Sequence, residues 1–200
     1  MTPKPPRPYF AHAVNTYHTS LERSMVALIA RYFGIQPGDV ENPNQPYHQA
    51  GYDEYAKRPR PSDVGHKGMN YFYDEVLPSC NSCVAMPFLD SRMGLGVASE
   101  AKWFVEHQLP VHLIRPPVTH IASREELEAV ARDPYADIFT ISPLSFEERE
   151  LLIREDERLV VPHIETRLRT WLVYNKTMRP YLTAHLARLP IPDDFYPEEK

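Results

Sequence analysis

The sequence predicts an α/β fold: a doubly wound, flavodoxin- or Rossmann-like parallel sheet with helices on both faces and a mainly helical C-terminal extension. Short β-prone runs alternate with segments of helical periodicity through residues 9–114, in the order β-α-β-α-β-α-β. Such alternation argues for parallel strands joined by crossover helices. The run Cys83-Val84-Ala85-Met86-Pro87-Phe88 then feeds a turn containing Asp90, Ser91, Arg92, Gly94 and Gly96, and a helical pattern opens near Val97. A strand, loop and helix in this order present free backbone N–H groups and the positive end of a helix dipole to a ligand at the carboxyl edge of a sheet. Glu100, expected in the first turn of that helix, is the first carboxylate to suspect of chemistry.

Taken in order, Tyr9 to Val14 is a short β-prone run after a leader rich in proline, and Asn15 to Thr19 is a polar connection. From Ser20, Leu21, Met25, Leu28, Ile29 and Tyr32 or Phe33 fall at helical spacing, with Ser20 as N-cap and Gly34 as stop. Residues 39–41 suit a brief second strand, followed by the loop Asn42-Pro43-Asn44-Gln45-Pro46 and a helical stretch from Tyr47 to Lys57. Proline and charge make 58–63 a surface loop, and Met69, Phe72, Val76 and Leu77 restore helical spacing up to Pro78. The Cys83–Phe88 strand, the helix from Val97 to about His107 and a Val111–Ile114 strand complete a core over residues 1–117. Residues 118–200 read as a separate extension that packs on the core or on a neighbouring subunit. It has helices over 123–132 (opening on Ser-x-x-Glu), 145–157 and 163–189, the last bent near Pro180, and an edge strand over 138–141.

Composition narrows the partners. Two hundred residues with 42% hydrophobic content suffice for a full core. A net charge of −5 and a pI near 6.0 give no general attraction to a nucleic acid polymer or an anionic membrane. No stretch has the length of a membrane span or the layout of a signal peptide, and there are only two cysteines, so a cytoplasmic setting is the expectation. The 21 prolines against 7 glycines punctuate the chain and restrict its unfolded state.

Tyr9-Phe10-Ala11 on the first strand, Leu95-Gly96-Val97-x-x-Glu100, and the Pro110-Val111 strand start resemble the nucleoside 2-deoxyribosyltransferase superfamily over roughly residues 7–115. Its relatives include 2′-deoxynucleoside 5′-monophosphate N-glycosidases and cytidylate hydrolases. The resemblance implies that Glu100 acts at the anomeric carbon and that Tyr9 orients it. It also implies a nucleoside or nucleotide substrate, a homodimer or higher homo-oligomer, no cofactor, and contacts from a neighbouring subunit in some members. An acidic residue common in the superfamily before the third strand is matched here by Asn81, which can orient a base but is no acid; Asp90 is the nearest other carboxyl group. Where phosphate-preferring relatives carry serine this chain has Gly94, and Ser91 and Arg92 are candidates to hold a 5′-phosphate instead.

The chemistry asks for the same kinds of group. Cleaving an N-glycosidic bond develops oxocarbenium character that a carboxylate below C1′ stabilises or captures. His12, Asn44 and His48, with Gly96, complete the substrate-binding candidates. Each residue also has a plainer reading: Glu100 as a helix-dipole partner, Tyr9 as core, Asp90 and Arg92 as a mutual pair, Asn44 and His48 as turn chemistry, and His12 as a satisfied strand histidine. Cys80 and Cys83 form a Cys-x-x-Cys with no second half, so incidental thiols and no metal are expected. Two other readings stay open: a nucleotide-binding or sensing module without turnover, and a glycohydrolase acting on a nicotinamide dinucleotide.

Overall fold

The computed structural model describes residues 5–14, 17–18, 20–58, 68–87, 91–115 and 139–161. Asp90 and the helices expected over 123–132 and 163–189 lie outside these residues. Strand β1 (Pro8–Ala11) leads to helix α1 (Ser20–Phe33), which stops where Gly34 takes φ +67°. Residues 39–41 do not form a strand of their own: Pro37–Asp39 is a 3₁₀ turn, and Glu41 makes an isolated parallel bridge to Tyr9. Helix α2 (Pro46–Lys57) opens with proline at its first position, where the missing N–H costs nothing. A helical segment over residues 69–79, α3, begins as α-helix at Met69–Tyr71, widens to a π turn over Phe72–Val76 and tightens to 3₁₀ over Leu77–Ser79.

Strand β2 is Ser82–Ala85, shorter than the expected run to Phe88. Strand β3 (Met93–Gly94) passes directly into α4 (Leu95–Glu106), and β4 (Val111–Arg115) follows. Beyond it come β5 (Thr140–Pro143), α5 (Phe146–Ile153) and β6 (Val160–Val161). Ser145 caps α5 with a reciprocal box: its hydroxyl accepts from the Glu148 N–H at 3.2 Å, and the Glu148 carboxylate accepts from the Ser145 N–H at 2.9 Å.

The main sheet has the order β1-β2-β4-β5. Its first three strands are parallel, while β5 runs antiparallel to β4, so the sheet is mixed rather than wholly parallel. Successive side chains of the strands point to opposite faces, and β1 and β2 are buried on both. Tyr9, Ala11, Cys83, Ala85, Val111 and Leu113 join α3 and α4 in one core cluster; Phe10, Val84 and Ile114 join Met25, Ile29 and Ala30 of α1 in another. Residues 139–161 share this architecture. Leu151, Leu152, Leu159 and Val160 enter the first cluster, β6 pairs with β3, and Arg115 of β4 grips Glu148 through both carboxylate oxygens. No helix among the described residues is long and apolar enough to cross a membrane.

Leu152 has no exposed surface. Leu152→Ala is expected to destabilise the protein by about 2–5 kcal/mol, the cost of a cavity in a packed core. A urea midpoint unchanged from the wild type would show that α5 does not belong to the cooperative core.

Candidate functional site

Tyr9 is the second residue of β1, in register with Cys83 on one side and bridged to Glu41 on the other. Its side chain lies on the face covered by α4, stacked at 6.1 Å against Phe104, and its hydroxyl donates to Glu100 Oε1 at 3.0 Å. The two residues brought together by the resemblance are therefore in contact. Tyr9 has no exposed surface and Glu100 only 7%.

The helix carrying Glu100 begins two residues earlier than its periodicity suggested. Gly94 is the N-cap with φ −63°, Gly96 is helical, and Glu100 falls in the second turn. This corrects the expected first-turn placement, and with it the dipole argument, because that field fades beyond the first turn. Burial governs the carboxyl instead, pushing its pKa up to about 8 against the opposing pull of the Tyr9 hydrogen bond. Tyr17 and Tyr73 feel the Glu100 charge as well; burial first, and that charge second, raise both phenols. Cys83 is a buried free thiol raised for the same two reasons.

A cavity of about 520 Å³ opens at the carboxyl edge of the sheet, and neither Tyr9 nor Glu100 is among the residues that line it. Val14, Tyr17 and His18 from the β1–α1 connection, Pro43 to Gln45 beyond the Glu41 bridge, Pro46, His48, Gln49 and Tyr52 of α2, and Met69 and Phe72 of α3 line it. Tyr17 both lines the cavity and senses Glu100. The walls are aromatic and amide-bearing, which suits a planar heterocycle with polar edges.

Two further buried carboxylates flank the cavity. Glu41 Oε1 accepts from the Tyr47 hydroxyl at 2.6 Å and pairs with His48 Nε2 at 2.7 Å, while Oε2 takes the Arg7 guanidinium. Burial pushes this carboxyl up, but the hydrogen bonds from His48, Tyr47 and Arg7 outweigh it and hold the pKa at about 2. Glu22 accepts from the amides of Asn42 and Asn44, each at 3.0 Å, and from the His18 N–H at 2.7 Å. His12 sits within the same network, 3.1 Å from Asn42 Oδ1 and 3.5 Å from Glu22, and its imidazole is pulled down by burial.

Of the expected binding residues, Asn44 and His48 line the cavity and His12 lies in the network behind it. Asn81 is elsewhere. It precedes β2 at the amino edge of the parallel strands, where its amide accepts from the Arg7 N–H at 2.8 Å and donates to the Pro5 carbonyl at 2.9 Å. Its role is to fasten the leader. Gly94 is a buried strand residue paired with Val161, and Gly96 is exposed on α4. The left-handed backbone of this turn belongs to Ser91, with φ 64°, and not to a glycine. Arg92 is half-buried.

Glu22, Glu41, Tyr17, Tyr47, Tyr71 and Tyr73 were not among the candidates. Glu22 carried a signal, since it shares the helical stripe of Met25 and Ile29, where a charge is out of place. The others carry no local pattern. Among the described residues no cluster of three or more His, Cys, Asp or Glu side chains is arranged to hold a metal ion.

The Glu100 pKa fixes a sign for stability. The folded state keeps this proton up to about pH 8, whereas an unfolded chain releases it near the ordinary 4.5. The unfolded state binds fewer protons between these values, so the contribution is full below the lower value and is lost as pH rises toward the upper one. Wild-type stability is expected to fall relative to that of Glu100→Gln between pH 5 and pH 8, read as the difference in urea midpoints. A constant difference would mean that Glu100 is already ionised at pH 5.

Comparison of the chain with protein-family models, with curated proteins and with solved structures finds no match in any of the three.

Proposed function

We propose that the protein is a nucleoside 2-deoxyribosyltransferase-like enzyme. It cleaves the N-glycosidic bond of a nucleoside or nucleoside 5′-monophosphate through Glu100 and passes the sugar to a second base or to water. The observation that carries this reading is the buried Tyr9–Glu100 hydrogen bond, together with an aromatic cavity at the strand ends whose Tyr17 feels the Glu100 charge. The Glu41 bridge supports the finer fold as well. With Glu41 counted as a rudimentary second strand and only main-sheet strands numbered, the order becomes 2-1-3-4-5, as in the doubly wound arrangement apart from its antiparallel last strand; in that arrangement the ligand crevice lies at the switch point between the first and third strands.

In this reading the base occupies the cavity and the sugar lies toward Tyr17, with C1′ over Glu100. As the C1′–N bond lengthens, positive charge grows on the sugar ring, and a carboxylate held in a water-poor setting stabilises that charge more than it would in solvent. Collapse of Glu100 onto C1′ gives a glycosyl ester, which water or an incoming base then resolves. Tyr9 fixes one carboxylate oxygen and leaves the other to react. Because only the ionised carboxylate attacks, its raised pKa has a kinetic sign: the Glu100 ionisation is expected to give kcat/KM a limb that rises with pH toward about 8.

The experiment is a chromatographic screen of pooled ribo- and deoxyribonucleosides and their 5′-monophosphates, with and without a free acceptor base. The wild type should release base, Glu100→Ala should lose at least ~1000-fold of that rate, and Tyr9→Phe should lose ~10–100-fold. Dependence on the acceptor distinguishes transfer from hydrolysis. Ligand binding without release by the wild type would favour the sensing module over the enzyme.

A further inference from the structure

We propose that His48 is a second catalytic group of this site, the acid that gives a proton to the base as it leaves C1′, with Glu41 as the residue that positions it. This rests on the glycosidic reading above.

The need is chemical. A heterocycle expelled as an anion is a poor leaving group, and a proton delivered to its nitrogen lowers the barrier. Asn81 lies at the opposite edge of the sheet, and among the described residues that line the cavity there is no carboxyl group. The imidazoles there are His18 and His48. His18 is exposed, on a turn, with Nδ1 taken up by the Asn44 amide at 3.3 Å. His48 is 3% exposed and is the one backed by a carboxylate.

That backing assigns the ring nitrogens. The Glu41 carboxylate can only accept, so Nε2 carries hydrogen and donates to it at 2.7 Å. Nδ1 is then the nitrogen that exchanges protons; it is held by the Tyr71 hydroxyl at 3.1 Å, and in the proposed step the leaving nitrogen takes the place of that hydroxyl. The remaining groups around the ring are Tyr47, whose centroid is 4.2 Å away, and the apolar Phe72 at 5.4 Å. Arg7 neutralises the far oxygen of Glu41 and anchors it. Gly51 on α2 lets the Tyr71 ring approach closely, since a Cβ there would collide with it.

In the step itself, the C1′–N bond breaks with its electron pair going to the base. The Nδ1 proton of the imidazolium passes to that base nitrogen, and a Glu100 oxygen bonds to C1′. His48 is left neutral and recovers its proton from the water, or from the N–H of the incoming base, that resolves the glycosyl ester.

The test compares two leaving groups on one sugar: the nucleoside that the wild type cleaves fastest, and the corresponding 4-nitrophenyl glycoside, whose phenolate departs without a proton. His48→Gln is expected to lose at least ~100-fold in kcat/KM on the nucleoside but to stay within about fivefold of wild type on the nitrophenyl glycoside. Glu41→Gln should show the same asymmetry in weaker form, and it serves as the second variant if His48→Gln does not fold. Equal losses on both substrates would reduce His48 to a structural residue, and undiminished nucleoside cleavage would remove it from the mechanism. Release that persists in Glu100→Ala overturns the glycosidic reading instead; the two failures strike different variants.

Discussion

Tyr9 ties the site to the fold. Its backbone is hydrogen-bonded into β1 between β2 and the Glu41 bridge, and its side chain reaches across to α4. One residue thus sets the distance between two carboxylates that come from distant parts of the chain. The arrangement tolerates little slack, because a one-residue slip of β1 would turn Tyr9 to the α1 face and bring Phe10 beneath Glu100. The register is pinned by the four consecutive pairs from Pro8–Ser82 to Ala11–Ala85 and by the bonds from the Phe10 N–H to the Glu41 carbonyl and from the Glu41 N–H to the Pro8 carbonyl.

The two carboxylates have opposite electrostatic fates under similar burial. Glu100 has a single hydroxyl donor and is pushed up to about 8; Glu41 has an imidazole, a phenol and a guanidinium, and is held at about 2. The difference lies in the number and charge of donors, since desolvation acts upward on both. Paired groups driven apart in this way are suited to different tasks. A carboxylate at about 2 is a permanent negative charge that orients the His48 ring through its Nε2–H. One at about 8 is mostly protonated at neutral pH and gains its charge as pH rises, so a positive charge brought beside it would favour its ionised form.

The sequence made α1, α2, β4 and α5 legible: α1 by its apolar stripe and the Gly34 stop, α2 and α5 as helical stretches after proline-bearing loops, and β4 as a short apolar run after Pro110. The α4 start was misplaced because two glycines read as a turn, whereas Gly94 serves as a cap and Gly96 is tolerated inside the helix. The β3–β6 pairing was invisible, since two-residue strands 67 positions apart carry no periodicity. Within the site, Glu100 was singled out by the strand, loop and helix around it together with the resemblance, and Tyr9 by the resemblance alone. Glu41 and Tyr17 were not, because a buried charge outside a periodic element and an aromatic in an irregular connection leave no pattern to detect. Asn81 was misread for a related reason: alignment to a motif gives a position along the chain, and not which end of a parallel strand faces the crevice.

The leader gains meaning from the same geometry. Arg7 is half-exposed, and an exposed arginine paired with a carboxylate contributes little by itself. Here its position is prepared. Pro5, Pro6 and Pro8 hold the flanking backbone extended, and the Asn81 amide fastens both the Pro5 carbonyl and the Arg7 N–H. Less entropy is then lost when the guanidinium meets Glu41, because much of the segment is ordered before the contact forms. Pro8 opens β1, a strand position that tolerates the missing N–H, while its carbonyl accepts from Glu41. The residue that looked like a substrate contact therefore acts from the far edge of the sheet: Asn81 orders the leader, the leader places Arg7, and Arg7 holds the carboxylate on which His48 rests.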